Sequence, residues 1–203
     1  LQEIGQSLDT PDDVIFDWLQ DISYPEQALG RTILGPAERV QNFSRDNFLE
    51  FIGTHYHPER MILSAAGGID HEAVVRLAEE TFGTLPKSAA PEHFAVAKFH
   101  GGEMRKEKSL EQAHVALAFE GPSYRDDDIY AAQIYSVALG GGMSSRLFQE
   151  IREKRGLCYT IFAQAGAFSD TGMMTIYAGT SEAQLPDLLE LTFAELGRAA
   201  NDM

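Results

Sequence analysis

Apolar residues recur along much of the chain at the spacing of amphipathic α-helices. Ser44 and Asp70 each precede such a stripe, and their side-chain oxygens suit the cap of a helix N-terminus. Asp9-Thr10-Pro11 gives the same signal for an earlier helix, with proline near its first position. The predicted helices have stripes that begin at Val14, Phe48, Val74, Tyr130 and Leu185.

Other stretches have the apolar patterns of β-strands. Met61–Ala66 is almost continuously apolar, which predicts a strand covered on both faces. Ala113–Phe119 alternates and predicts a half-buried strand. Thr160–Ala167 and Gly172–Gly179 predict a hairpin joined through Phe168–Thr171. Helices and strands in both halves predict an α/β or α+β protein.

The Leu139–Tyr159 segment combines several unusual signals. It opens with Gly140–Gly142, which allow positive φ and close backbone approach. A helical stripe of Leu147, Phe148 and Ile151 follows. Gly156 then predicts a left-handed helix end, and Leu157–Ala163 predicts a strand that places Tyr159 on the same face as Ile161.

Composition narrows the class of protein. The chain has 203 residues and is 44% hydrophobic, so it can bury a sizeable core. Its net charge is -15. This acidity argues against binding to nucleic acid or to anionic membranes. It allows a preference for basic substrates, although solubility alone is the simpler explanation. Cys158 is the single cysteine, which excludes an internal disulfide, and no run of apolar residues is long enough for a transmembrane helix.

Both ends of the sequence suggest a piece of a longer polypeptide. The chain does not begin with Met and lacks a signal-peptide pattern, and the last helix has no stop signal. Leu85–Pro91 interrupts the periodic pattern and is the best candidate for a domain boundary.

The candidate chemistry is limited. His55 and His57 suggest a metal pair or, preferably, a structural helix end. No Gly-x-Ser-x-Gly elbow is present, the glycine triplet lacks the Lys-Ser/Thr of a phosphate loop, and Cys158 reads as an inert thiol. Arg152 and Tyr159 could converge on a carbonyl or a developing oxyanion. From spacing alone, an exposed helix-end arginine and a core tyrosine remain the preferred alternative.

The run from Gly141 to Tyr159 resembles the second-domain signature of the M16 (pitrilysin-like) zinc metallopeptidases. Within that family it looks most like the processing-peptidase branch, which includes mitochondrial processing peptidase and bacterial relatives. The resemblance spans nearly the whole chain, because four further segments agree with it, namely Leu1–Gly5, Thr54–Leu63, Ala66–Asp70 and Thr81–Leu85.

The resemblance implies an α+β fold with a mixed β-sheet and helices packed against it, in a fragment of two consecutive domains. Residues 1–86 would end the zinc-bearing first domain, 87–104 would be a linker, and 105–203 would begin the second. The family's His-x-x-Glu-His zinc motif is absent from this chain. Glu3 matches the distal zinc ligand, and Arg152 and Tyr159 match the pair that contacts the substrate carbonyl. We therefore expect Zn²⁺ in the intact enzyme but poor zinc binding and no activity in the 203 residues alone.

The implied function is a fragment of a zinc metalloendopeptidase that cleaves peptides or presequences. The alternative is a non-catalytic partner or scaffold subunit of the same family, and a more distant one is a phosphate-ligand binder using the glycine triplet. We expect a peptide substrate, no nucleic acid, no membrane insertion, and a homo- or hetero-oligomer. A bacterial-type location in cytoplasm or periplasm is favoured over the mitochondrial matrix.

Overall fold

The computed structural model describes residues 1–87 and 95–201, which fall into two compact units. Leu1–Pro36 joins Val96–Met203 in the first unit, and Ala37–Ala95 forms the second. The helices are α1 Gln2–Leu8, α2 Pro11–Ser23, α3 Ala37–Gln41, α4 Arg45–His55, α5 His71–Phe82, α6 Ile129–Gly140 and α7 Leu185–Asn201, with short 3₁₀ turns at Pro58–Arg60 and Glu182–Gln184 and a π-helix at Phe148–Glu153. The strands are β1 Ala113–Gly121, β2 Thr160–Ala167 and β3 Gly172–Thr180.

The predicted boundary at Leu85–Pro91 lies partly outside the described residues. The predicted domain limits at 86 and 104 concern the whole protein and stay a prediction. No helix in the described ranges has the length and apolar character needed to cross a membrane.

The first unit is built on an antiparallel sheet with strand order β1-β3-β2. Val115 and Ile161 both lie opposite Ala178, on either side of the central strand. The predicted hairpin is confirmed, because β2 and β3 pair along their whole length up to the Phe168–Thr171 turn. The sheet formed by the described strands is purely antiparallel rather than mixed.

Helices cover both faces of this sheet. On one face, α6, the π-helix and α7 enclose a core, whose buried members are Leu139, Leu147, Ile151, Cys158, Ile161, Ala163, Ile176, Ala178, Leu188 and Ala199. On the other face, the Phe16 ring of α2 packs against Phe162 and Tyr177, with ring centroids 6.2 and 5.4 Å away. The strand predicted to be half-buried is therefore covered on both sides.

The second unit keeps its predicted helices but leaves much apolar surface exposed. Ser44 and Asn47 form a capping box at α4, and the Asp70 side chain accepts a hydrogen bond from Ala73 N at α5, as predicted. The exposed apolar residues include Phe48, Phe51, Ile52, Tyr56, Ile62, Leu63 and Leu77.

The predicted strand Met61–Ala66 is wrong for this structure. The run has no strand pairing within the described residues, and Ile62 is 93% exposed. A β-strand is stable only when neighbouring strands take its backbone hydrogen bonds, and none of the described strands lies in this unit. An apolar run shows that a segment could be buried as a strand, but it does not provide the neighbouring strands that such a segment needs.

Candidate functional site

The Leu139–Tyr159 segment begins at the end of helix α6, where Gly140 packs closely against β2. A Cβ on Gly140 would lie 2.3 Å from Ala163 N, so only glycine allows the end of α6 to approach β2 this closely. None of Gly140–Gly142 has a positive φ, so that predicted use of the triplet is wrong, whereas the predicted close backbone approach is confirmed at Gly140. Close approach, rather than backbone freedom, explains the first glycine.

The helical part of the segment is a π-helix rather than a regular α-helix. Lys154 N donates to Gln149 O at 3.0 Å, five residues back, which widens the turn. Leu147 and Ile151 are completely buried, as the apolar stripe predicted. Such wide turns are rare and occur frequently at functional sites.

Gly156 ends this helix in the predicted left-handed conformation. Its φ is 64°, and its N–H donates to Arg152 O at 3.0 Å. The reversal returns the chain to the sheet, where Tyr159 N donates to Gly179 O at 2.9 Å. The regular strand begins one residue later, at Thr160.

The guanidinium of Arg152 is held from several sides. Its Nε donates to Tyr159 O at 2.8 Å, and its Nη1 donates to the Glu153 carboxylate at 2.7 Å. Its central carbon lies 4.6 Å from the centre of the Phe148 ring, within cation–π range. A guanidinium has five N–H donors, so these contacts leave capacity for a ligand.

Sequence reasoning missed the two side chains that hold Arg152. Phe148 precedes it by four residues, which is the spacing of side chains that meet on one helix face. Glu153 is its immediate neighbour in sequence. The i−4 spacing of Phe148 was a usable signal, whereas adjacency in sequence alone does not predict the Glu153 contact.

Tyr159 contacts Arg152 through its backbone carbonyl oxygen, and its side chain is exposed. It is 64% exposed, so the alternative of a core tyrosine is wrong. Its backbone, by contrast, is fixed by hydrogen bonds at both the N–H and the carbonyl oxygen. The structure thus joins Arg152 and Tyr159 as neighbours and presents the phenol from a rigid backbone.

Two ionisable groups near the pair, Glu150 and Cys158, have shifted pKa values. Hydrogen bonds from Lys154 and Arg155 lower the pKa of the Glu150 carboxyl. Burial raises the pKa of the Cys158 thiol to about 11, although Arg152 acts in the opposite direction. Cys158 is therefore a neutral core thiol at ordinary pH, which agrees with the inert thiol predicted.

Glu3 lies on helix α1 and not in the Leu139–Tyr159 segment. It is exposed in the first turn of the short helix α1, and no hydrogen bond or ion pair of the described residues joins it to Arg152 or Tyr159. Over residues 1–87 and 95–201, no group of three His, Cys, Asp or Glu side chains is placed to hold a metal ion. The residues described do not, by themselves, fit zinc.

His57 has the structural role that the sequence favoured. It is buried, and its ring nitrogens lie 3.0 Å from Pro86 O and 2.8 Å from Thr54 O. Both nitrogens are occupied by carbonyl oxygens, so neither faces a metal. The ring of His55 instead lies against Phe51, with centroids 4.5 Å apart.

Comparison with known proteins identifies the family. The family model described as "Peptidase M16 inactive domain" matches residues 42–203. A Rickettsia bellii protein named "Uncharacterized zinc protease" is 43% identical over 97% of this chain and 47% of its own length. The Bacillus subtilis "Uncharacterized zinc protease YmxG" is 35% identical over 93% of the chain and 46% of its own length. The chain thus spans about half the length of the curated relatives it matches.

Solved structures show the same fold. The peptidase M16 inactive domain of Pseudomonas fluorescens matches with a TM-score of 0.78 at 22% identity, covering 96% of this chain and 48% of that one. A chain of complex III2 from Candida albicans matches with a TM-score of 0.76 at 20% identity, covering 88% and 45%. The sequence relatives and the family match agree with this fold. The chain therefore belongs to the M16 peptidase family.

Proposed function

We propose that the parent protein is a zinc metalloendopeptidase of the processing-peptidase type, acting on peptides as an oligomer. In this proposal, the present chain supplies Arg152 and Tyr159 to the substrate. The observation that carries it is the hydrogen bond from Arg152 Nε to the backbone carbonyl oxygen of Tyr159, a residue whose side chain is exposed. Names of relatives such as the Rickettsia bellii zinc protease support the reaction class.

The pair is suited to a peptide carbonyl. The Tyr159 O–H and the remaining Arg152 N–H groups can donate to a carbonyl oxygen and to the negative charge that develops on it. Donors on a fixed backbone need little reorganisation when that charge appears. Arg152 would also orient the peptide, because its fork-shaped donors impose direction.

Glu3 is proposed as one carboxylate ligand of a metal site completed by residues outside this chain. Its support is the match of Leu1–Gly5 to the family pattern, together with the exposure of the side chain. One carboxylate is not a zinc site. The chain alone should therefore bind zinc poorly.

Replacing Tyr159 tests the role of the phenol. In the full-length parent, Tyr159→Phe should lower kcat by roughly 10²- to 10³-fold, the cost of removing one oxyanion donor. Zinc content should be unchanged. Peptide cleavage and metal analysis would be measured beside Tyr130→Phe, which alters another exposed tyrosine. Wild-type turnover in Tyr159→Phe would exclude the assignment.

Replacing Glu3 tests the metal role. Glu3→Gln in the full-length parent should lower the zinc content of the purified protein, because an amide is a weaker ligand than a carboxylate. Glu72→Gln is the matched control, since Glu72 is also exposed in the first turn of a helix. Full zinc retention in Glu3→Gln would show that Glu3 is not a ligand.

A non-catalytic subunit is the second candidate. The matching family model is described as an inactive domain, and one structure with the same fold belongs to complex III2. The deciding observation is the parent sequence before Leu1. An intact His-x-x-Glu-His there favours the enzyme, and a degenerate motif favours the subunit.

A further inference from the structure

Helix α7 buries a carboxylate where an apolar side chain would be expected. Its buried residues are Leu188, Thr192, Glu195 and Ala199, which form one stripe against the core. Glu195 is only 2% exposed. Burying a carboxylate is costly unless cations compensate for the lost hydration, so its partners identify what this glutamate contributes.

Two arginines flank the buried carboxylate. Arg198 lies on the same helix, with its Nη2 3.0 Å from Glu195 Oε1. Arg146 comes from the Leu139–Tyr159 segment, and its Nε is 3.6 Å from Glu195 Oε2. Both contacts are ion pairs rather than hydrogen bonds. The Arg146 contact connects α7 to the start of the helical run that carries Arg152.

Apolar packing alone does not fix the orientation of this run. Leu147 and Ile151 are buried in the same core as Leu188 and Ala199. Such contacts are non-directional, so they hold the helix against the core while tolerating small rotations. An ion pair at Arg146, six residues before Arg152, adds a point that resists rotation.

We propose that Glu195 is a positioning residue for Arg152. Its carboxylate anchors Arg146, and this anchor sets the rotation of the π-helix from which Arg152 reaches Tyr159 O. The proposal rests on the proposed function for its effect on peptide cleavage. Its effect on the geometry of Arg152 is independent of that function.

The geometric arm uses the 203-residue chain. The Arg152 Nε–H donates to Tyr159 O, so it should give a distinct, slowly exchanging signal in an ¹⁵N-arginine NMR spectrum, assigned with Arg152→Lys. Glu195→Gln should shift or broaden this signal. Glu190→Gln, an exposed glutamate on the same helix, should leave it unchanged. An unaltered Arg152 signal in folded Glu195→Gln would overturn the proposal.

A second variant separates positioning from stability. Glu195→Leu replaces the buried charge by an apolar side chain, a change that often preserves or increases stability. If Glu195 only stabilises the fold, this variant should keep the wild-type Arg152 signal. If Glu195 positions Arg152, the signal should move although the chain remains folded by circular dichroism.

The kinetic arm uses the full-length parent. Both Glu195 variants should lower kcat by about 10- to 100-fold, the order of loss caused by small misplacement of a reacting group, with zinc content unchanged. Wild-type kcat in both variants would overturn the proposal. If Tyr159→Phe itself leaves turnover unchanged, the proposed function fails, and the NMR arm alone then decides the role of Glu195.

Discussion

The two units of this chain begin from similar sequence patterns and reach different states. Both contain amphipathic helices, and the capping residues Ser44 and Asp70 place clear helix starts in the Ala37–Ala95 unit. The other unit encloses its apolar residues between helices and a three-stranded sheet. In the Ala37–Ala95 unit, the run Met61–Ala66 has no strand partner among the residues that the structure describes, and the helix stripes stay exposed.

In this chain, local patterns specify helices in both units, and the core cluster of buried residues lies where helices pack on the sheet. A helix satisfies most of its own backbone hydrogen bonds, whereas a strand depends on its neighbours. The candidate site lies in the unit with the sheet, where Leu147 and Ile151 hold the π-helix against the core. Support from a closed core is one part of what a pair of positioned donors requires.

The largest test of this contrast compares two isoleucines. Ile151→Ala should lower the free energy of unfolding by about 2–5 kcal/mol, because it leaves a cavity in a closed core. Ile62→Ala should change it by no more than about 0.5 kcal/mol, since this side chain is exposed. Urea denaturation followed by circular dichroism measures both. Equal losses would show that Met61–Ala66 is buried in solution.

The second test uses pH and the buried thiol. Burial raises the Cys158 pKa from its ordinary 9.0 to about 11, so the folded state holds this proton more tightly than the unfolded state. Its stabilising contribution should be complete below pH 9 and be lost as pH rises through 11. The difference between these two pKa values corresponds to a loss of about 2–3 kcal/mol in the free energy of unfolding at high pH.

Cys158→Ala isolates this contribution from the buried tyrosines. Burial also raises the pKa of Tyr24 and of Tyr177, which therefore act in the same direction at high pH. The urea midpoint should fall less steeply above pH 9 in Cys158→Ala than in the wild type. Parallel curves would contradict the burial of Cys158.

The smallest effect concerns the glycine triplet. Gly140→Ala should destabilise the chain by about 1–3 kcal/mol, because the added Cβ would collide with Ala163. Gly142→Ala is the matched control: a Cβ there meets nothing within 4 Å, and its effect should stay within about 0.5 kcal/mol. Thermal unfolding of the variants distinguishes the two positions, and equal melting temperatures would refute the close approach.

Sequence reasoning reached much of the fold and part of the site. Capping residues located α4 and α5, alternation located β1, the hairpin pattern located β2 and β3, and Gly156 located the end of the helical run that carries Arg152. Signals of this kind are local, because each depends on a few neighbouring residues. The resemblance carried by Gly141–Tyr159 then gave the family, which the family model and the relatives confirm.

Contacts between distant residues could not be inferred in this way. The Glu195–Arg146 ion pair joins positions 49 residues apart (195 − 146), and no local pattern marks it. The cover that α2 provides over Phe162 and Tyr177 was missed for the same reason. The π-helix was also hidden, because its apolar stripe suits an α-helix equally well.

The sequence by itself determined the capped helices α4 and α5, the β2–β3 hairpin, the glycine stop and the family. Tertiary structure alone decided that Tyr159 is exposed while its backbone holds Arg152, and that Met61–Ala66 forms no strand here. The physical reason is the range of the interactions. Caps, turns and periodic stripes act between near neighbours, whereas burial and strand pairing depend on which distant segments meet.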